Sequence, residues 1–270
     1  MTLREAAKLL ADAGIESALG DARVLFEKIG GYPRHALIGA DASSDSEELA
    51  RAISRRAKRE PLQYILGRVD FYRESYKVTP DCLIPRWDTE LLVDYAVSHI
   101  PEGESFLDLC TGSGCVAIST LANTKGTSAA AYDISDSALK IAKENAEENG
   151  VSDRLKLFRL DLMTDEPTGL APFAVLSNPP YVSCTAYAEL APEIAHEPSI
   201  AFLAGKDGGD FYRRFVPMCK RLIKPEGFFA FEIGFDQREL SEALAAEHGL
   251  KVEILKDTSG NDRVAVYRAG

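Results

Sequence analysis

The residues best placed to do chemistry are Asn178-Pro179-Pro180-Tyr181, which close the apolar run Ala174-Val175-Leu176. Two prolines have no N–H to give and cannot continue a ladder, so a buried strand must end there. Asn178, held extended by the proline after it, offers a side-chain oxygen. A carbonyl of the proline pair offers a second acceptor, and Tyr181 offers an aromatic face. Two acceptors and a flat wall suit a planar NH2 group on an amide or an aromatic ring. Such a nitrogen is a poor nucleophile, because its lone pair is delocalised. Methyl transfer to it requires that it be lined up behind a sulfonium methyl. An aspartate at 178 would keep an acceptor, so residue type alone ranks Asn178→Asp above Asn178→Ala in residual activity.

Three further segments carry chemistry. In "FLDLCTGSGCVAI" a strand, Phe106-Leu107-Asp108-Leu109, runs into Thr111-Gly112-Ser113-Gly114 and then a helix. Glycines there let a ligand approach the backbone, and a helix N-terminus favours electronegative atoms. Gly112-x-Gly114-x-x-Ala117 also fits the dinucleotide fingerprint, so this loop alone leaves NAD open. Asp133 ends the next strand, 21 residues after Gly112, where an acid can bind both hydroxyls of a ribose. NAD and S-adenosylmethionine both carry that ribose. Asp161 ends the third strand; its carboxylate could accept from an adenine amine, with Leu162 packed on the ring. The Asn-Pro-Pro-Tyr segment falls on the same C-terminal edge, the ligand crevice of an open α/β sheet. It decides for methyl transfer. A hydride enzyme would need an acid or base, and no Tyr-x-x-x-Lys occurs at any of the ten tyrosines.

The elements that must position these residues are legible as periodicity. Residues 1–65 read as a helical domain, with Leu3, Ala6, Ala7 and Leu10 on one helix face. Residues 66–90 read as a hairpin linker, with Arg73-Glu74-Ser75 near its turn, and "DTELLVDYAVSHI" as a helix capped by Asp88 or Thr89. Residues 91–270 form the catalytic domain. Strands are expected near 105–109, 128–133, 154–159, 172–177, 227–233, 251–256 and 263–268, and helices near 115–122, 136–149 and 209–223. Ser135 or Asp136 caps the second of these helices and Gly150 ends it. Alternation of this kind implies a mainly parallel sheet covered on both sides. "DTSGND" is too short for a parallel crossover, so the last two strands form an antiparallel hairpin.

Composition narrows the partners. Residues 1–80 carry 13 Lys+Arg and 12 Asp+Glu, a net of +1, while the remaining 18 and 30 leave −12 on residues 81–270. An acidic catalytic part argues against wrapping naked nucleic acid. The basic run Arg51, Arg55, Arg56, Lys58, Arg59 is read as a solvated helix face. Five scattered cysteines suggest reduced, buried thiols and a cytoplasmic location. No run of 18 apolar residues or signal peptide is visible, and the four histidines have no metal spacing, so neither membrane nor metal is expected.

These segments resemble the release factor glutamine methyltransferases, the HemK or PrmC family, within the class I S-adenosylmethionine-dependent methyltransferases. The resemblance is carried by "PLQYILG" (61–67), "LIPRWDTE" (83–90), "NPPYV" (178–182), "EPSIAFLAGKDGGDFYRR" (197–214) and "DTSGNDRVAVYR" (257–268). It implies a seven-stranded Rossmann-like sheet with an antiparallel last hairpin, and a helical N-terminal domain that helps hold a class 1 peptide-chain release factor. It implies methylation of the side-chain nitrogen (N5) of the glutamine in that factor's Gly-Gly-Gln motif, with S-adenosyl-L-homocysteine as product. By motif, Asp108, Cys110 to Gly114, Asp133, Ile134, Asp161, Leu162 and Asn178 would hold the donor. Asn178 to Tyr181, with Arg86 and Glu197, would hold the substrate. Adenine in DNA or a ribosomal RNA is the alternative substrate. The roughly 30 residues between Tyr181 and Phe211 are too few for a target-recognition region. Three departures stand out: Leu162 replaces an aromatic residue, Cys110 replaces a glycine, and Trp87 replaces a proline, bringing a bulky ring near the expected donor pocket.

Overall fold

The computed structural model describes residues 1–39 and 42–270. The chain divides into two compact units, Met1–Val69 with Ala191–His196, and Asp70–Leu190 with Glu197–Gly270.

The first unit is helical: α1 (Leu3–Asp12), α2 (Ala18–Lys28), α3 (Glu47–Ala57) and α4 (Leu62–Leu66). α1 starts at a capping box, in which the Thr2 hydroxyl accepts from the Glu5 N–H and the Glu5 carboxylate accepts from the Thr2 N–H. Ser46 caps α3 through the Leu49 N–H. Leu3, Leu10, Leu25, Phe26 and Ile53 meet in one apolar cluster. Of the basic run expected as a solvated face, Arg51, Arg55 and Lys58 are exposed, Arg59 is half-buried, and Arg56 departs from the expectation. Arg56 is buried and donates to Asp21 at 2.7 Å and to Glu193 at 3.1 Å. Arg59 reaches Glu193 at 2.8 Å, Arg55 reaches Glu60 at 2.8 Å and Arg51 reaches Glu47 at 3.4 Å. Segment 191–196 thus belongs with the helices, because its Glu193 neutralises two of their arginines.

A hairpin of β1 (Arg68–Phe71) and β2 (Glu74–Lys77) turns at Tyr72-Arg73, one residue before the expected place, and the boundary between the units falls inside β1. The second unit continues with α5 (Glu90–His99), β3 (Ser105–Leu109), α6 (Cys115–Ala122), β4 (Ser128–Asp133), α7 (Asp136–Glu148), β5 (Leu155–Arg159) and β6 (Ala174–Ser177). Then come α8 (Cys184–Tyr187), α9 (Asp210–Leu222), β7 (Phe228–Glu232), α10 (Arg238–Glu247), β8 (Leu250–Lys256) and β9 (Asp262–Ala269). Residue pattern missed α8 and α10. Ser135 caps α7 by accepting from the Ala138 N–H, as expected.

Among the described residues the large sheet has the order β5-β4-β3-β6-β7-β9-β8. β5, β4, β3, β6 and β7 run parallel, and β9 lies antiparallel to both β7 and β8. Every residue of β6 and β7 is buried, as strands covered on both faces must be. Register sets the functional edge: Leu109 pairs with Tyr132 and with Ser177, and Ser177 pairs with Phe231. Cys110, Asp133, Asn178 and Glu232, each the next residue in its strand direction, therefore emerge in one row. Chain order reverses between β3 and β6, the switch point at which open α/β sheets bind ligands.

Of the thiols expected to be buried, Cys82 and Cys219 are, Cys110 and Cys115 are half-buried, and Cys184 is exposed. No helix among the described residues is long and apolar enough to cross a membrane.

Replacing Arg56 by alanine would leave Asp21 and Glu193 without their shared cation inside the helical unit. Breaking a buried pair in this way costs about 3–5 kcal/mol. Denaturant unfolding of Arg56→Ala should show a loss of that order, and an unchanged midpoint would show that the pair is not structural.

Candidate active site

The loop after β3 is held open by its backbone and by two carboxylates. Cys110 takes φ +59° despite its side chain, a left-handed turn uncommon for a residue other than glycine. Gly114 takes φ +84°, and a Cβ on it would come within 2.8 Å of Ile118 and 3.1 Å of Ala142. Glycine is needed at that position both for the turn and for the close packing of the loop on α7. Asp133 accepts from the Gly112 N–H at 2.8 Å and from the Ser135 N–H at 2.9 Å. Burial raises its pKa, and these bonds oppose the rise.

Asp108 is buried beneath the loop. One oxygen accepts from the Thr111 hydroxyl at 2.6 Å and the Ala117 N–H at 3.2 Å. The other oxygen has no hydrogen-bond partner among the described residues, nor has the buried Ser113 hydroxyl. Burial pushes the Asp108 carboxyl up to about 7, against the pull of its Thr111 bond.

A cavity of about 350 Å³ opens at this edge. It is lined by Cys110, Gly112, Asp133, Ile134, Asp161, Leu162, Asn178 and Pro180 from the expected set. Cys82, Leu83, Met163, Ile200 and Phe211, which residue pattern did not single out, complete the wall. A small recess of about 30 Å³ shares Leu83, Cys110, Gly112 and Asn178 with it and reaches Asp108, Thr111, Ser113 and Thr89. An unpartnered carboxylate oxygen beside an unpartnered hydroxyl fits an ammonium. Asp133, whose carboxylate keeps acceptor capacity toward the cavity, fits a ribose diol. The residues present therefore suit S-adenosylmethionine.

At Asn178 the side-chain NH2 donates to the Thr89 hydroxyl oxygen at 3.0 Å. Thr89 in turn donates to Glu232 at 2.5 Å, and the Tyr181 hydroxyl donates to the other Glu232 oxygen at 3.0 Å. Burial raises the pKa of Glu232, which these two bonds oppose, and burial also raises that of Tyr181. Thr89 precedes α5 but makes no capping bond, and Asp88 pairs with Arg263 at 3.4 Å rather than capping the helix. Gln237 donates to the Tyr181 carbonyl at 3.0 Å, and Gly208 sits so close that a Cβ would lie 2.3 Å from that carbonyl. Thr89, Glu232 and Gln237 escaped the residue pattern. The one visible signal was an acid, Glu232, ending an otherwise apolar strand, Phe228 to Phe231.

Other expected residues lie elsewhere. Glu197 is buried and accepts from the Ile84 N–H at 3.0 Å and from Arg86, so this pair braces the 83–86 segment with groups of its own. Pro179 and Tyr181 do not line the cavity. Trp87 is 77% exposed at the start of a short 3-10 turn and its ring does not enter the cavity, contrary to expectation.

Solved structures share this architecture. The hMettl16 catalytic domain in complex with a 3'UTR hairpin matches 91% of this chain and 92% of its own at TM-score 0.60 and 15% identity. A ribosomal protein L11 methylase from Lactobacillus delbrueckii subsp. bulgaricus matches 72% and 84% at TM-score 0.52 and 20% identity. Residues 88–202 match the methyltransferase small domain family, and residues 2–67 match the PrmC N-terminal domain family. The chain is an S-adenosylmethionine-dependent methyltransferase of the class I fold. It is 37% identical to a release factor glutamine methyltransferase of Caulobacter vibrioides, over 95% of this chain and 91% of that one. It is 36% identical to another from Geobacter sulfurreducens, over 97% and 93%. It belongs to the release factor glutamine methyltransferase family.

The native state binds the Asp108 proton more tightly than the unfolded chain does. The stability this confers is full below the ordinary carboxylate range and is lost as pH rises through about 7. Urea midpoints at pH 5 and pH 8 should therefore differ less in Asp108→Asn than in the parent. An equal difference in both would show that Asp108 is ionised throughout.

Proposed function

We propose that the chain transfers a methyl group from S-adenosylmethionine to the side-chain amide nitrogen of the glutamine in the Gly-Gly-Gln motif of class 1 release factors, in the cytoplasm. The observation that carries this reading is the Asn178 amide, whose NH2 is engaged by Thr89 and whose oxygen is left for the cavity. The family's named substrate supplies the rest.

The donor supplies an electrophilic methyl on a sulfonium. Asp133 and the Gly112 backbone would hold its ribose, Asp108 and Ser113 its ammonium, and Asp161 with Leu162 its adenine. Asn178 Oδ1 and a carbonyl of the proline pair would each accept one N–H of the glutamine amide. These bonds fix the plane of the amide and favour the positive charge that grows on nitrogen. The methylated nitrogen then loses a proton readily to water, so no strong base is required. The N-terminal helices would help hold the release factor. Their arginines are already matched by carboxylates, which weighs against a phosphate backbone as partner.

The deciding experiment offers labelled donor with a release factor, with the same factor lacking its Gly-Gly-Gln glutamine, and with unmethylated DNA. Label is expected on the intact factor alone, and label on DNA would promote the adenine reading. Asn178→Ala should lower turnover on the order of a hundredfold, the effect of losing about 3 kcal/mol of transition-state bonding. Parental turnover in that variant would remove Asn178 from the site.

A further inference from the structure

We propose that Thr89 and Glu232 are positioning residues for methyl transfer. Together they dictate which end of the Asn178 amide faces the cavity, and hence that the site takes a group bearing two N–H bonds. This rests on the reading of Asn178 above and extends it to residues that do not touch the substrate.

The argument is a count of protons. Thr89 has one hydroxyl proton, and at 2.5 Å from Glu232 Oε2 it is spent on the carboxylate. The Tyr181 proton is spent on Glu232 Oε1. Glu232, an acceptor on both oxygens, thereby turns a lone pair of Thr89 toward Asn178, and that lone pair accepts from Nδ2 at 3.0 Å. A flipped amide would set Oδ1 against an oxygen with no proton to give. The correct face of Asn178 is thus chosen two hydrogen bonds away.

No simpler role explains these groups. The Thr89 side chain does not cap α5. Glu232 is 1% exposed, yet its ionic neighbour Arg263 is directed to Asp88 at 3.4 Å and Asp257 at 3.3 Å. A buried carboxylate without an ion-pair partner is costly and is kept where its acceptors are used. Here they clamp both ends of one tetrapeptide, Asn178 through Thr89 and Tyr181 directly. The clamp also reverses the ranking drawn from residue type. An aspartate at 178 would have no N–H for Thr89 and would place a second carboxylate near Glu232, so Asn178→Asp should be no more active than Asn178→Ala.

The test compares Thr89→Val, which keeps shape and removes the hydroxyl, with Thr89→Ser, which restores it. kcat and KM are measured on the substrate that the parent enzyme labels, with donor affinity by calorimetry and the thermal midpoint alongside. Thr89→Val should lose about ten- to a hundredfold in kcat, the scale on which outer partners of metal ligands act. Donor affinity should stay within about twofold, and Thr89→Ser should recover most of the loss. Glu232→Gln, whose NH2 must turn one hydroxyl proton away, should fall likewise, and it carries the test if Thr89→Val does not fold. Parental kcat in Thr89→Val, or a serine variant as poor as the valine one, would overturn the proposal. The parent's own choice of substrate tests the functional reading, so the two failures are distinct.

Discussion

Glu232 is the constraint around which the catalytic edge is arranged. It ends β7 one residue beyond Phe231, which pairs with Ser177, so its carboxylate comes level with Asn178. Four aromatic or small residues before it, Phe228 to Phe231, bury the strand and deny it water. Its two oxygens must then be satisfied by protein, and Thr89 and Tyr181 supply the protons. Those two residues lie 143 and 51 positions before Glu232, and through them a helix start and a loop are fixed against the end of β7. The prolines stiffen the tetrapeptide from within, while Glu232 fixes it from outside.

The donor side uses the same device with different stakes. Asp133 spends part of its carboxylate on the Gly112 and Ser135 N–H groups, which shapes the loop and still leaves acceptor capacity toward the cavity. Asp108 is the extreme case, with one oxygen bonded and one bare in the interior. Burial raises the pKa of that carboxyl, and a cation beside it would oppose the rise. The helical unit keeps its near-zero balance by pairing: α3 arginines lie against Asp21, Glu60 and Glu193.

Sequence alone determined the alternation of strands and helices, the parallel sheet with its final hairpin, and the cap of α7. Each follows from periodicity or from bonds spanning three or four residues. It also located the strand-end loops, because glycines and prolines are legible without neighbours. Gly112, Asp133, Asp161, Leu162, Asn178 and Pro180 were placed at one edge by strand ends, Cys110 and Ile134 by resemblance, and they line one cavity. The tertiary structure alone decided what those residues are bonded to. Thr89 lies 89 residues from Asn178 and 143 from Glu232. Arg56 lies 137 residues from Glu193. Such pairs exist only once sheet register and helix packing have brought distant segments to hydrogen-bond distance, and no local pattern encodes them. For the same reason Thr89 read as a helix cap and Trp87 as a pocket residue, and nothing local showed that Arg86 and Glu197 bond to each other. Residue type states what a side chain can do, and burial with the nearest partner decides which of those things it does.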